Sequence, residues 1–330
     1  MEGDVLLVVA VVVALGFDFT NGFHDTANAV ATSISTRALS PRMAVAVASV
    51  ANLVGAFVTT AVAKTVGKGI IDTGLANTRT VVAALIGAIA WNLLTWWLGL
   101  PSSSSHALIG GLVGAAMAQS WTKGVQWHGL AHKVVIPAFL APTLAFGAAF
   151  LLLIAIYWTF QRVSSGVANR GFRLGQLLSG TFVAYTHGAN DAQKTMGVIA
   201  LALFANGSID HFYIPTWVKI AAAVAIAAGT YVGGWRIMRT LGQRLYKMEP
   251  AAGFSAQVSA GAVIDVATRL GYPLSTTHVI SGAVLGAGST KGFSAVRWGI
   301  AGNIVVAWFL TIPAAALVAA AFYWPIQGIF

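Results

Sequence analysis

Cysteine is absent, which excludes disulfides, thiolate chemistry and Cys-ligated metals. Charge is nearly as scarce: 8% of the 330 residues are Asp, Glu, Lys or Arg, against roughly 25% in an average soluble protein. With 57% hydrophobic residues and a mean hydropathy of +0.78, too few charged side chains remain to cover a water-soluble fold. The long apolar runs also argue against an aggregating or lipoprotein-like chain. No stretch is polar enough for a separate soluble domain. The net charge of +10 comes from scattered basic residues with no dense basic run, so it fits the positive-inside bias of a membrane protein better than nucleic-acid binding. The run Val5 to Leu15 has the length of a signal-peptide core. Glu2 and Asp4 precede it where Lys or Arg would stand, and no small-residue cleavage site follows, so it reads as the start of the first span.

The expected fold is an all-α polytopic membrane protein of about 10–12 membrane segments, since a span needs about 20 apolar residues. Apolar runs give spans at 5–36, 43–63, 80–99, 104–121, 134–160, 174–203, 213–235, 253–271, 275–290 and 297–324, with the run near 101–121 a candidate re-entrant segment. The first and sixth are long and polar at their middles, with Gly22 and Gly188 inside the polar stretches. Both are expected to be helices broken near the midplane. Placing Glu2 and Asp4 outside puts eleven basic residues in inside loops and six in outside loops, so both termini are expected outside a multi-pass cell membrane.

The scarce polar residues recur. Thr20-Asn-Gly-Phe-His-Asp-Thr-Ala-Asn28 aligns with Thr186-His-Gly-Ala-Asn-Asp-Ala-Gln-Lys194, at an offset of 166. Gly99-Leu-Pro-Ser-Ser-Ser-Ser-His106 aligns with Gly271-Tyr-Pro-Leu-Ser-Thr-Thr-His278, at an offset of 172. Two pairs in one order indicate a duplicated half, 1–165 and 166–330. Each half holds five spans, so the second enters the bilayer from the opposite side, an inverted-topology repeat typical of secondary transporters.

The first motif pair puts Asp25 and Asp191 inside spans, where an ionised carboxylate costs at least about 2.5–3.5 kcal/mol. On a helix Asn21, Asp25 and Asn28 share a face, with His24 beside Asn28; His187, Asp191 and Lys194 repeat this, with Asn190 beside Lys194. Hard oxygen ligands of this kind suit a small cation or a proton. Asp191 and Lys194 could equally neutralise each other. Asp18 and Asp265 also lie in spans but have no repeat partner; Asp265, four residues before Arg269, fits a structural pair as well as a functional role.

The second motif pair reads as a break followed by a helix start. Pro ends one helix and Ser or Thr caps the next, offering free N–H groups, hydroxyls and a positive dipole end to an oxyanion. Ser103, Ser104, Ser105, Ser275, Thr276 and Thr277 are the candidates. Plain capping would explain one copy; two favour a shared anion. His106 and His278, together with Asn21, His24 and His187, are candidate supporting residues.

Taken together, Asn21-Gly-Phe-His-Asp-Thr-Ala-Asn-Ala-Val-Ala31, His187-Gly-Ala-Asn-Asp191 and Pro273-Leu-Ser-Thr-Thr-His278 resemble the inorganic phosphate transporter family over nearly the whole chain. The resemblance implies a symporter that imports inorganic phosphate, often as a homodimer, driven by sodium in some members and protons in others. Certain bacterial members take phosphate as a neutral complex with a divalent metal such as magnesium. It implies ion and substrate binding by Asp25, Asn28, Asn190 and Asp191, and phosphate contacts from the two hydroxyl clusters. His24 replaces the usual Asn before the first Asp, and Gln193-Lys194 replaces a common Ala-Asn pair. One amide oxygen is lost and a cation gained, which favours proton coupling over sodium. No cofactor is implied and no metal site is assigned. The family's long central cytoplasmic loop is missing, with only Gln161 to Arg173 in its place. An anion channel and a sulfate carrier are the rival readings. An enzyme is not expected, for no nucleophile–base pair sits in a soluble cleft.

Overall fold

The structure, a computed structural model, describes residues 2–329. It is helical, and the one β feature among the described residues is an isolated bridge between Ile71 and Val125. In chain order the helices are α1 (Glu2–Ser35), α2 (Pro41–Gly55), α3 (Ala61–Lys68), α4 (Thr78–Leu98), α5 (Ser104–Ser120), α6 (Trp127–Leu130), α7 (Ile136–Thr159), α8 (Ser165–Ala205), α9 (Thr216–Val232), α10 (Trp235–Arg239), α11 (Pro250–Arg269), α12 (Thr276–Ser289) and α13 (Trp298–Ile329). Nine of the ten expected spans correspond to one helical segment each. The tenth, 43–63, divides into α2 and α3 around residues 56–60.

Among the described residues, four segments are long and apolar enough to cross a membrane alone: Gly3–Ser35, Thr78–Leu98, Trp127–Thr159 and Trp298–Ile329; α9 with the segment Trp235–Arg244, bent by 59°, makes a fifth. At 17 and 14 residues, α5 and α12 are roughly 26 and 21 Å long, short of a hydrocarbon core of about 30 Å. Both begin inside the protein.

Neither polar helix is broken. α1 runs unbroken for 34 residues and α8 for 41, which corrects the expectation of discontinuous helices. The glycines serve close packing instead. A Cβ on Gly22 would sit 2.4 Å from the Ile226 carbonyl oxygen of α9, and one on Gly188 2.2 Å from the Asn52 carbonyl oxygen of α2. Without a hydrophobic drive between helices in lipid, such small-residue contacts are what let backbones approach.

α1 and α8 pack antiparallel through the middle of the molecule. Gly3 lies near Asn206, Asn21 near Asp191, and Thr36 near Gln176. α9 packs on α1 and α2 on α8, while α13 covers α4 and α5 and α7 covers α11 and α12. The starts of α5 and α12 therefore point at the centres of α1 and α8.

Candidate functional site

The two hydroxyl clusters form by the local chemistry expected of them. Gly99 (φ 67°) ends α4, and Gly271 (φ 76°) follows α11. Pro101 and Pro273 lie in the ensuing turns. The Ser103 hydroxyl then accepts from the His106 N–H at 3.1 Å, and Ser275 from the His278 N–H at 3.2 Å. Ser103 and Ser275 are thus N-caps, leaving Ser104, Ser105, Thr276 and Thr277 in the first turns. The starts abut: the Ser105 hydroxyl donates to the Leu274 carbonyl at 2.9 Å.

On α1, Asn28 Nδ2 donates to Thr277 Oγ1 at 2.9 Å and to Thr276 Oγ1 at 3.3 Å, and the Thr277 hydroxyl donates to Asp25 Oδ1 at 3.4 Å. His24 Nδ1 lies 2.6 Å from the same carboxylate oxygen, and its Nε2 lies 3.1 Å from Thr95 Oγ1. Ser102 lies 3.4 Å from Nε2. Both ring nitrogens face oxygen atoms, so the network accommodates a neutral or a doubly protonated ring.

On α8, Lys194 Nζ donates to Asp191 Oδ1, to Ser105 Oγ and, at 2.8 Å, to the Leu274 carbonyl. Asn21 Nδ2 reaches across from α1 to Asp191 Oδ2 at 3.4 Å. His187 Nε2 lies 3.4 Å from that oxygen without a hydrogen-bond partner, while its Nδ1 faces Asn52 Oδ1 at 2.9 Å. Asp25, His187 and Asp191 offer ligand atoms within 4.8 Å of one another.

The contacts come in matched pairs. Asn28 serves the start of α12 as Lys194, 166 residues later, serves the start of α5. His24 bonds Thr95 at the end of α4; Asn190, again 166 later, donates to Thr268 Oγ1 at the end of α11 at 2.8 Å, and to the Tyr272 carbonyl at 3.1 Å. Asn190 therefore holds the turn before α12. Every residue of the two clusters is at most 4% exposed, so this chamber of polar side chains is shut off from solvent.

Other candidates lie apart. His106 and His278 meet edge-on, 4.6 Å between ring centroids, and His278 stacks on Trp308 at 3.9 Å. They face an apolar cavity of about 650 Å³ walled by Phe139, Phe146 and Phe309, behind the helix starts. Asp265 and Arg269 form a 2.8 Å pair with Arg269 62% exposed, away from the chamber, which fits the structural reading. Gln193 also turns away. Its Oε1 accepts from Val62 N at 2.9 Å and Ala63 N at 3.3 Å at the start of α3. Sequence reasoning missed Thr95, Ser102, Thr268 and Asn52. Asn52 carried a legible signal, as a lone amide in an apolar run.

Comparison with known proteins agrees with these motifs. The sequence profile described as the phosphate transporter family matches residues 21–319. A probable low-affinity inorganic phosphate transporter of Mycobacterium tuberculosis is 53% identical over 320 residues, covering 96% of this chain and 77% of that protein. One so named in Bacillus subtilis is 44% identical over 333 residues, covering 99% of this chain and all of that protein. The fold is shared with a solved structure titled the sodium-dependent phosphate transporter (TM-score 0.89, 23% identity, 99% of this chain and 100% of that one). These relatives are named for transport, not catalysis. With the profile covering most of its length, the chain belongs to the phosphate transporter family.

Proposed function

We propose that this protein is a secondary symporter that imports inorganic phosphate across the cell membrane with protons. The observation that carries the reading is the closed chamber in which two helix starts meet two carboxylates and a lysine. Phosphate binds between Ser103, Ser104, Ser105 and Ser275, Thr276, Thr277, where helix dipoles and hydroxyls favour an anion. Asp25, Asn28, Asn190, Asp191 and Lys194 form the coupling side. Asn21, His24 and His187 support it, while His106 and His278 pack behind the helix starts.

The Lys194–Asp191 pair suggests how coupling works. A proton on Asp191 releases the ammonium, which already touches Ser105, to the phosphate. His24 beside Asp25 supplies a second place for a proton. Each ligand then shifts the protein toward the state that binds the other. Because the chamber is closed, entry and exit need alternating rearrangement. The matched contacts and the antiparallel packing of α1 and α8 support two inverted halves, 1–165 and 166–330. The basic-residue bias supports both termini outside, and the family resemblance a homodimer.

A second reading has its own support. The orphaned His187 Nε2 and the carboxylates of Asp25 and Asp191 could hold a divalent metal carried as a neutral phosphate complex. Sodium coupling is the other alternative, prompted by the name of the structural relative. The test is purified protein in liposomes with labelled phosphate outside, varying the pH gradient, sodium and magnesium separately. Uptake driven by an inward proton gradient supports the reading. Uptake that follows sodium alone, or that never exceeds electrochemical equilibrium, contradicts it.

A further inference from the structure

Buried polar side chains continue the chamber toward one end of the molecule, and the proposed site does not use them. On α1, Thr32 and Thr36 follow Asp25 and Asn28 at spacings of four, so one polar stripe runs down a single face from the chamber to the helix end. From Asp25 to Thr36 this is about 16 Å of helix axis. α8 and α11 complete the file. Gln257 of α11 donates through Nε2 to Thr32 Oγ1 at 2.6 Å and to Ser33 Oγ at 2.7 Å, and its Oε1 accepts from Ser179 Oγ of α8 at 2.7 Å. Nearer the helix end the Thr36 hydroxyl donates to Gln176 Oε1 at 2.8 Å, and Gln176 Nε2 donates to the Pro250 carbonyl at 2.7 Å. These six residues are at most 5% exposed. At the mouth, exposed Arg173 donates to the Thr36 carbonyl at 3.1 Å, and Arg37 is next in sequence.

Hydrogen bonds between membrane helices can serve simply as glue. Two features exceed that role here. First, the network is not inherited from the duplication. The positions 166 after Thr32, Ser33 and Thr36 are Val198, Ile199 and Ala202, and the position 166 before Gln176 is Ala10. That half of the molecule is filled by an apolar core which includes Ala10, Phe17, Met196 and Ile199. Glue needed by both halves would recur in both, whereas buried polar groups confined to one half mark a pathway there. Second, the chemistry suits a passing oxyanion. Hydroxyls and amides offer it hydrogen bonds, and none of the six carries a charge that would hold it, which is the balance that passage requires. The arginines at the mouth add an attractive field.

We infer that phosphate leaves the chamber toward the cytoplasm along this file, between α1, α8 and α11, with Thr32, Ser33 and Gln257 as transient anion contacts once α11 parts from α1. In the closed state the same groups bond to one another and seal the route. Close packing makes the seal: a Cβ on Gly180 of α8 would lie 2.9 Å from Ser33 Oγ and 3.1 Å from Gln257 Nε2. The direction of travel rests on the import reading with both termini outside; the opening of the file to water does not.

Because the chain has no cysteine, a single introduced thiol reports its own exposure. Ser33→Cys exchanges one atom, and Thr32→Cys keeps the test open if that variant folds poorly. Ser255→Cys is the control: it lies on the same helix as Gln257 and is just as buried, but its hydroxyl bonds to the Ala149 carbonyl of α7 at 2.8 Å. Right-side-out and inverted membrane vesicles, free of phosphate, are treated with a membrane-impermeant anionic methanethiosulfonate, and the purified chain is weighed by mass spectrometry. Ser33→Cys and Thr32→Cys are expected to react from the cytoplasmic face alone, at about 0.1–10% of the rate of an exposed thiol, the share of time a minor open state is populated. Ser255→Cys should react from neither face. Fully modified Ser33→Cys, reconstituted in liposomes, should lose most of its phosphate uptake. Thiols on the file that are unreactive from both faces make the network static glue and overturn the route, as does equal reactivity of Ser255→Cys or full uptake after modification. Reaction from the outer face alone overturns the exit assignment. Failure of the unmodified wild type to accumulate phosphate would sink the symport reading instead, because the labelling contains no phosphate.

Discussion

Lys194 holds on α8 the place that Asn28 holds on α1: each reaches the first-turn hydroxyl of an opposing short helix, Ser105 for Lys194 and Thr277 for Asn28. The exchange of an amide for an ammonium puts a cation at one of two matched positions, where it pairs with Asp191. That charge, present in one half and absent from the matched position of the other, is the feature that most sets the chemistry of this chain.

Breaking that pair should be expensive. Lys194→Met leaves Asp191 buried and uncompensated, and is expected to destabilise the protein by about 3–5 kcal/mol. Adding Asp191→Asn removes the orphaned charge and should recover most of the loss. Thermal unfolding in detergent reads both. Neither variant should concentrate phosphate.

The hydroxyls divide by role. Ser103→Ala removes a cap and should cost about 1 kcal/mol of stability. The Ser104 hydroxyl has no partner, so Ser104→Ala should leave stability unchanged or slightly raised. As a proposed phosphate contact, however, its loss should raise the phosphate concentration for half-maximal uptake by about 10- to 100-fold. Unfolding curves and uptake kinetics on the two variants separate capping from binding.

Much of this site was legible in the sequence, and the illegible part has a common cause. The helix starts at Ser104 and Thr276 follow from local rules, since Gly, Pro and Ser act on their neighbours. Asp25 and Asp191 stood out because charge is scarce. The fate of Gly22 and Gly188 was not legible, because a glycine that breaks a helix and one that admits a crossing helix look alike until the partner is known. Here the partners are Ile226 and Asn52, more than 130 residues away in sequence. The same holds for Gln193, whose acceptor duty lies at Val62 and Ala63.

The glycine assignment is testable. Gly188→Ala places a methyl against the Asn52 backbone and should cost about 1–3 kcal/mol, with uptake reduced. Gly147→Ala, where nothing lies within 4 Å, should instead be neutral or stabilise by up to about 1 kcal/mol. Equal effects in thermal unfolding would show that Gly188 is not a packing contact.

His24 beside Asp25 is the second place for a proton in this account and so has its own test. His24→Gln preserves hydrogen bonding toward Asp25 but holds no proton. Phosphate uptake by this variant should lose most of its response to an imposed pH gradient while phosphate binding persists. An undiminished response, measured by labelled uptake across a pH series, removes His24 from the coupling path.

The most direct measurement of the central claim compares wild type with Asp25→Asn in liposomes, with an inward proton gradient and labelled phosphate outside. Wild type is expected to accumulate phosphate above equilibrium and Asp25→Asn to show no accumulation at equal reconstituted amount. Accumulation by Asp25→Asn at the wild-type level would contradict the account, because the chamber would then drive transport without its first carboxylate.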